Sequence, residues 1–255
     1  MKTIIKICFK LFGQNAYNIP LIRNIIYSNA KLKEDLQNNE KVFNKLNIPI
    51  KQLKNKLKKF DINYFSNDFS WHYFIFCGLS ENYNELKILE IGTSEGNFTN
   101  FLSKCFESSN ITTIDLSITE LKELNKNISE VEFKNFINKR TINLDKNNIT
   151  FVQINSKDIL KKFKQNSFDL IWVDGDHKTP QVQQDIDNAI TLIKNKGIVC
   201  CDDIVMSTYK NDYVDSDSYK HLINKKNLTT YYLNKRIRRS NYDSKKYVSV
   251  SIVNK

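Results

Sequence analysis

Apolar positions along the chain change their period near residue 86, and that change divides the sequence into two kinds of structure. Downstream, short apolar runs alternate with helical stretches: 86–91, 98–106, 111–114, 118–128, 149–154, 159–163, 168–173, 182–193 and 198–201. Runs of four to six residues without inner alternation, each followed by a helical pattern, predict a parallel sheet covered on both faces. Right-handed crossovers then give a doubly wound α/β sheet. Residues 228–233 and 247–253 alternate like half-exposed strands and predict a terminal antiparallel hairpin around a basic, Ser/Asn-rich loop. The polar stretch 138–148 reads as a surface excursion between the second and third strands.

Upstream, residues 1–80 carry no strand pattern and read as a helical N-terminal extension to a domain spanning 81–255. The Lys-rich stretch 29–60 is interrupted at Pro49, predicting a helix, a break and a second helix. Residues 68–78 open on the capping residue Asp68 and stay apolar to Gly78, which predicts a buried helix ending there. Lys6 and Lys10 interrupt the apolar start at 1–13 and no small-residue cleavage site follows, favouring a packed or frayed helix over a signal peptide or an interfacial helix.

Composition adds limits. A length of 255 residues suits one α/β domain with a modest extension. No stretch reaches the roughly 18–20 uninterrupted apolar residues of a membrane span. The net charge of +11 invites a nucleic-acid reading, yet only five of the 39 basic residues are Arg: Arg23, Arg140, Arg236, Arg238 and Arg239. Arg supplies the bidentate fork that reads phosphates and bases, so the charge is weak support for a nucleic-acid partner. The clusters at 51–59 and 235–239 read as a solvated helix face and a basic loop, either of which could attract an anionic substrate. Five cysteines (Cys8, Cys77, Cys105, Cys200, Cys201) contain no C-x-x-C spacing and are odd in number. That count argues against a zinc site or a disulfide framework and for a reducing, cytoplasmic setting.

Chemistry concentrates at the predicted strand ends, where open α/β sheets bind ligands. Leu86-Lys-Ile-Leu-Glu-Ile-Gly-Thr-Ser-Glu-Gly96 places a strand, a tight turn and a helix start together. Gly92 and Gly96 stand four apart behind Glu90, unlike the G-x-G-x-x-G of a diphosphate cradle. A single Gly loop would also suit an unoccupied βα turn. The second strand ends in Asp115, placed to accept hydrogens from a ribose diol, and the third ends in polar residues about Ser156 able to meet an adenine edge. E-x-G-x-x-x-G, an acid after the second strand and the closing hairpin together resemble the core of class I S-adenosylmethionine (SAM)-dependent methyltransferases over 81–255. The resemblance implies a seven-stranded, Rossmann-like sheet and SAM contacts at Glu90, Gly92, Ser94, Gly96, Asp115 and Ser156.

A second constellation follows. Phe168-Asp-Leu-Ile-Trp-Val-Asp-Gly-Asp-His177 delivers Asp174, Asp176 and His177 to the sheet rim, and the next strand delivers Cys201-Asp-Asp203 beside them. Carboxylates on adjacent strand ends repel unless a cation lies between them, and all-oxygen ligation suits Mg²⁺, Mn²⁺ or Ca²⁺. These segments resemble metal-dependent O-methyltransferases of the macrolide-sugar type, with catechol and caffeoyl-CoA enzymes more distant. Carried over by motif, Asp174, Asp202 and Asp203 would hold Mg²⁺ or Mn²⁺, and His177 would be the general base. Catechol-type enzymes have Lys as base and Asn as third ligand at the positions of His177 and Asp203, which favours the sugar-type branch. Many methyltransferases keep an acid here without metal, and Asp176 could equally be a helix cap; His72 and His221 lack comparable context. The expected activity is therefore cation-dependent O-methylation of a hydroxyl on a sugar, glycoside or similar small polar acceptor. Its rivals are an RNA or protein methyltransferase using the basic surface and a non-catalytic SAM-binding scaffold. Oligomeric state is not written in the sequence.

Overall fold

The computed structural model describes residues 7, 10, 11, 29–60, 62, 70–206, 215–235 and 246–255. Most of the segment 1–13, the cap Asp68, Cys8 and the basic residues 236–239 lie outside the described residues. Seven strands form one sheet: β1 (Lys87–Ile91), β2 (Asn110–Asp115), β3 (Ile149–Gln153), β4 (Phe168–Val173), β5 (Ile193–Val205), β6 (Leu228–Asn234) and β7 (Lys246–Val253). Their order is β3-β2-β1-β4-β5-β7-β6. Neighbours from β3 through β5 are parallel, and β7 runs antiparallel to both β5 and β6. The winding reverses between β1 and β4, the switch point at which such sheets take ligands.

Both faces of the central strands are buried, which explains why their sequences lack alternation. Ile88, Leu170, Trp172, Ile198 and Cys200 enter one apolar core, and Leu89, Ile91, Ile171, Val173, Val199 and Cys201 the other. The first face is covered by α1 (Asn29–Lys45), α2 (Ile50–Lys59), α3 (His72–Asn82) and α4 (Asn97–Cys105). Phe43, Leu53, Leu57 and Phe74 share that core with Trp172, so the N-terminal helices and the sheet are packed as one body. The second face is covered by α7 (Ile159–Lys162) and chiefly by α8 (Gln181–Leu192).

Two expectations about local structure need correction. Helix α3 continues past Gly78 to Asn82, so Gly78 is not a helix end. A Cβ there would lie 2.2 Å from Ile48, and the glycine instead lets the chain before α2 press against the helix. The polar excursion expected at 138–148 is helical to residue 144: after α5 (Ile118–Leu124), in a stretch expected to be helical, comes α6 (Glu130–Leu144). Each begins with a capping box, Ser117 with Glu120 and Ser129 with Glu132. Among the described residues no helix is long and apolar enough to cross a membrane.

Candidate active site

A cavity of about 410 Å³ opens at the carboxyl ends of β1, β2, β3 and β4. Gly92, Ser94, Asp115, Ser156 and Asp174 line it, with Leu121, Leu124, Phe136 and Ile154 giving apolar walls. Its charged lining is wholly acidic among the described residues: Asp115, Asp174 and Asp176, with no Lys, Arg or His.

The loop after β1 is fixed by its neighbours on both sides. Ile91 O accepts from Asp174 N at 2.8 Å, and Gly92 N donates to Ile114 O at 3.0 Å. Gly92 has φ +101°, and a Cβ on it would stand 2.2 Å from Asp174 O. The glycine is thus demanded by the adjoining β4 loop as much as by any ligand. Gly96, at φ +74° before α4, faces Asn143 and Leu144 of α6 and does not line the cavity.

Glu90 also stands behind the cavity wall, only 1% exposed. Its Oε2 accepts from Thr99 Oγ1 at 2.5 Å and Thr113 Oγ1 at 2.6 Å. Burial raises its carboxyl to about 7 despite both hydroxyls, so its role is beneath the loop rather than against a ligand.

Asp115 closes β2. Oδ1 accepts from Leu116 N at 2.8 Å, and Oδ2 from Ser94 N at 2.8 Å and Arg140 Nη2 at 3.1 Å. Arg140 was not singled out from the sequence as a site residue. It lies on α6 between Phe136 and Phe151, 4.8 and 5.4 Å from their ring centres, and its Nε donates to Ser94 O at 2.6 Å. The signal for it was the capping box at Ser129, which announces the helix that carries it. Ser156 Oγ accepts from Gln181 Nε2 at 2.8 Å, and Asn188 Nδ2 donates to Ser156 O at 3.0 Å. Gln181 also bonds Asp185, a fully buried acid behind Gly175.

Beyond Asp174 lies a second cluster. Between Cys201 and Ile204 the β5–β7 register slips by one residue, and Asp203 adopts φ +50°. Such a bulge breaks the side-to-side alternation of a strand, so consecutive carboxylates reach a single partner. That partner is Lys235, whose residue is 6% exposed: Nζ bonds Asp202 Oδ2 and, at 2.8 Å, Asp203 Oδ1. Lys246 Nζ meets Asp203 Oδ2. Although burial opposes it, hydrogen bonds from the two ammoniums bring the Asp203 carboxyl down to about 2. Asp174 lacks that pairing. Burial first, and then the negative charge of Asp202, raise its carboxyl far above the usual range. Asp202 Oδ1 is buried and has no hydrogen-bond partner.

The expected divalent ion does not fit this arrangement. Asp203 is turned to two lysines, an ammonium bridges Asp202 to Asp203, and no group of three His, Cys, Asp or Glu is set to hold a metal among the described residues. His177 is exposed at the rim, its Nε2 3.8 Å from Asp174 Oδ1, outside hydrogen-bonding distance. Asp176 Oδ1 accepts from Lys178 N at 3.0 Å, the geometry of a local cap. His72 is buried against Trp172 and Phe98, with Nδ1 2.6 Å from Ser70 Oγ, while His221 pairs with Asp187 on α8.

A family model described as a methyltransferase domain matches residues 89–204, from the middle of β1 to the bulge on β5. Among solved structures, the O-methyltransferase TomG from Streptomyces achromogenes superposes with a TM-score of 0.53 at 16% identity, over 87% of this chain and 99% of its own. An O-methyltransferase from Bacillus cereus gives 0.50 at 16% identity, over 97% and 99%. The CurJ carbon methyltransferase gives 0.45 at 12% identity over 68% of this chain, which spans 49% of that protein. Among curated proteins, no sequence matches. Residues 89–204 thus match a methyltransferase domain, and the sheet that carries them has the fold of the two O-methyltransferases.

Proposed function

We propose that this class I methyltransferase binds SAM in the cavity at the β1–β4 strand ends and transfers its methyl group to a hydroxyl oxygen of a small polar acceptor, with sugars and glycosides the first class to try. The observation that carries the cofactor assignment is the lack of any cationic side chain in the described lining of the cavity. A site for a dinucleotide needs donors or cations for two phosphates, whereas this lining offers carboxyl groups and no cationic side chain among the described residues. That suits a ligand whose reactive centre is itself a cation. At about 410 Å³ the cavity also falls in the range of roughly 300–1,000 Å³ usual for small-molecule sites.

SAM, when bound, supplies a methyl already activated by a sulfonium. The chain's task is to hold it and to prepare the nucleophile. Asp115, fixed by Ser94 and Arg140, accepts the ribose hydroxyls. Ser156, set by Gln181 and Asn188, meets the base edge, and Leu121, Leu124 and Phe136 flank the base. On the acceptor side, His177 Nε2 would take the hydroxyl proton as the oxygen–carbon bond formed and the bond from that methyl carbon to the sulfonium sulfur broke, leaving a neutral thioether. Transfer to oxygen is supported by the two fold neighbours named as O-methyltransferases. A basic surface used on RNA or protein is the second reading, supported only by the charge of +11.

Calorimetry of the full chain with SAM and with NAD tests the cofactor. SAM should bind and NAD should not, and Asp115→Ala should weaken SAM by about 1.5–3 kcal/mol, the usual worth of a hydrogen bond to a charged group. Tighter binding of NAD would overturn the assignment. Methyl-labelled SAM offered with glycosides, catechols and RNA then ranks the acceptor classes.

A further inference from the structure

Three lines of geometry single out Lys235. The bulge on β5 turns the successive carboxylates of Asp202 and Asp203 onto its one ammonium. Lys246 takes the remaining oxygen of Asp203, so two carboxylates face two ammoniums and the charges balance. Finally, the backbone that carries Lys235 continues the β6–β7 ladder and is tied to the N-terminal region as well. Lys235 O accepts from Trp71 N at 2.8 Å and Lys235 N donates to Lys246 O at 2.9 Å. The preceding Asn234 is clamped in both directions by the Asn39 side chain of α1, through buried bonds of 3.0 and 2.8 Å. The N-terminal helices thus position the end of β6, and with it the lysine.

We propose that Lys235 is the resident cation of the acceptor side of this site, standing where a divalent ion would stand between Asp202 and Asp203, and that methyl transfer runs without bound metal. The inference rests on the methyltransferase reading for its meaning, but not for its first test. Each oxygen of Asp203 already accepts from an ammonium, so a divalent ion taking it as a ligand would have to displace one of them or stand against its like charge. Lys235 acts as a positioning residue. It holds the two acids in one arrangement beside Asp174 and keeps the site from accumulating negative charge.

The decisive experiment is a Mn²⁺ titration of the full chain, following the spectrum of free Mn²⁺. Wild type should show no site tighter than about 1 mM. Lys235→Ala should acquire one site, which the added change Asp202→Asn should remove. Lys235→Gln, closer in volume, repeats the test if the alanine variant fails to fold. A tight Mn²⁺ site in wild type, lost on Asp202→Asn, overturns the proposal, as does a folded Lys235 variant that gains none. Turnover is then measured after chelation by EDTA. An unchanged rate agrees with the lysine as cation, and a rate abolished by EDTA and restored by Mg²⁺ overturns it. Should no acceptor be methylated at all, the functional reading fails, while the Mn²⁺ result still decides the role of Lys235.

Discussion

The cavity at the β1–β4 ends and the cluster at the β5 bulge lie on either side of Asp174, and each solves the problem of buried acid differently. The cavity has no cationic side chain in its described lining: Asp115 meets Arg140 from behind the wall, and burial favours the neutral form of Asp174. The cluster carries its own counter-ions, Lys235 and Lys246, and has little charge left to offer. A carboxylate on a strand end therefore does not declare its partner. What decides it is whether the fold has already brought a lysine to it.

The largest effect is expected where the two regions meet. His177 stands on the turn leaving Asp174 and is exposed at the rim. If it takes the acceptor's proton, His177→Ala should lower turnover by roughly 10²–10⁴-fold, the range for a positioned acid–base group, with SAM affinity unchanged. Near-normal turnover in both His177→Ala and His177→Gln would show the boundary to be without chemistry and His177 to be a loop residue.

A second test separates the regions by the sign of their response to pH. Glu90, under the cavity, is fully buried and has hydroxyls but no cation as hydrogen-bond partners, so burial raises its carboxyl to about 7 from an ordinary 4.5. Its folded value lies above its unfolded one, so folding favours the protonated form. Stability falls as pH climbs from 4.5 towards 7 and levels off above. A shift of that size corresponds to about 3 kcal/mol. Glu90→Gln, which keeps an acceptor for Thr99 and Thr113, should therefore gain on wild type by up to that amount between pH 5 and pH 8 in denaturant melts. Asp203 has the opposite sign: held down to about 2 by its lysines, it adds stability that is lost only in strong acid. A Glu90→Gln difference that stays flat with pH would remove the contrast.

The sequence disclosed these regions unequally, for reasons visible in particular residues. The strands and their parallel sheet were readable because both sheet faces are buried, so that apolar runs such as 168–173 stand out whatever surrounds them. Gly92, Ser94, Asp115, Ser156 and Asp174 line one cavity because each follows directly from a strand end, a local property. Glu90 and Gly96 follow from the same motif, yet they lie behind the loop, where the motif serves packing. Lys235 was read as part of a basic loop. Its destination depends on the pairing of β6 with β7, on a bulge in β5 and on Asn39, almost 200 residues away, none of which leaves a local mark. Arg140 was hidden for a related reason, since the polar helix that carries it shows almost no apolar stripe.

The smallest effect sharpens the comparison by removing burial while keeping the chemistry. Lys139 bonds Glu95 in the cofactor loop at 2.5 Å, an ion pair like that of Lys235 with Asp203. Here the side chains are 52% and 34% exposed, against 8% and 18% in the buried pair. Water screens the exposed pair, and two long side chains must be ordered to make it, so it should contribute only ~0.2–1 kcal/mol. Removing Lys235 instead strands buried carboxylates, a loss on the order of 3–5 kcal/mol. Lys139→Ala should therefore lower stability by less than about 1 kcal/mol in urea melts at low salt. The difference should shrink in 1 M NaCl, where screening acts within roughly 3 Å. SAM affinity should be unmoved, since Glu95 and Lys139 do not line the cavity. A larger or salt-insensitive loss would mean that the loop depends on this pair for its shape. Burial would then no longer distinguish the acids of the cavity side from those at the bulge.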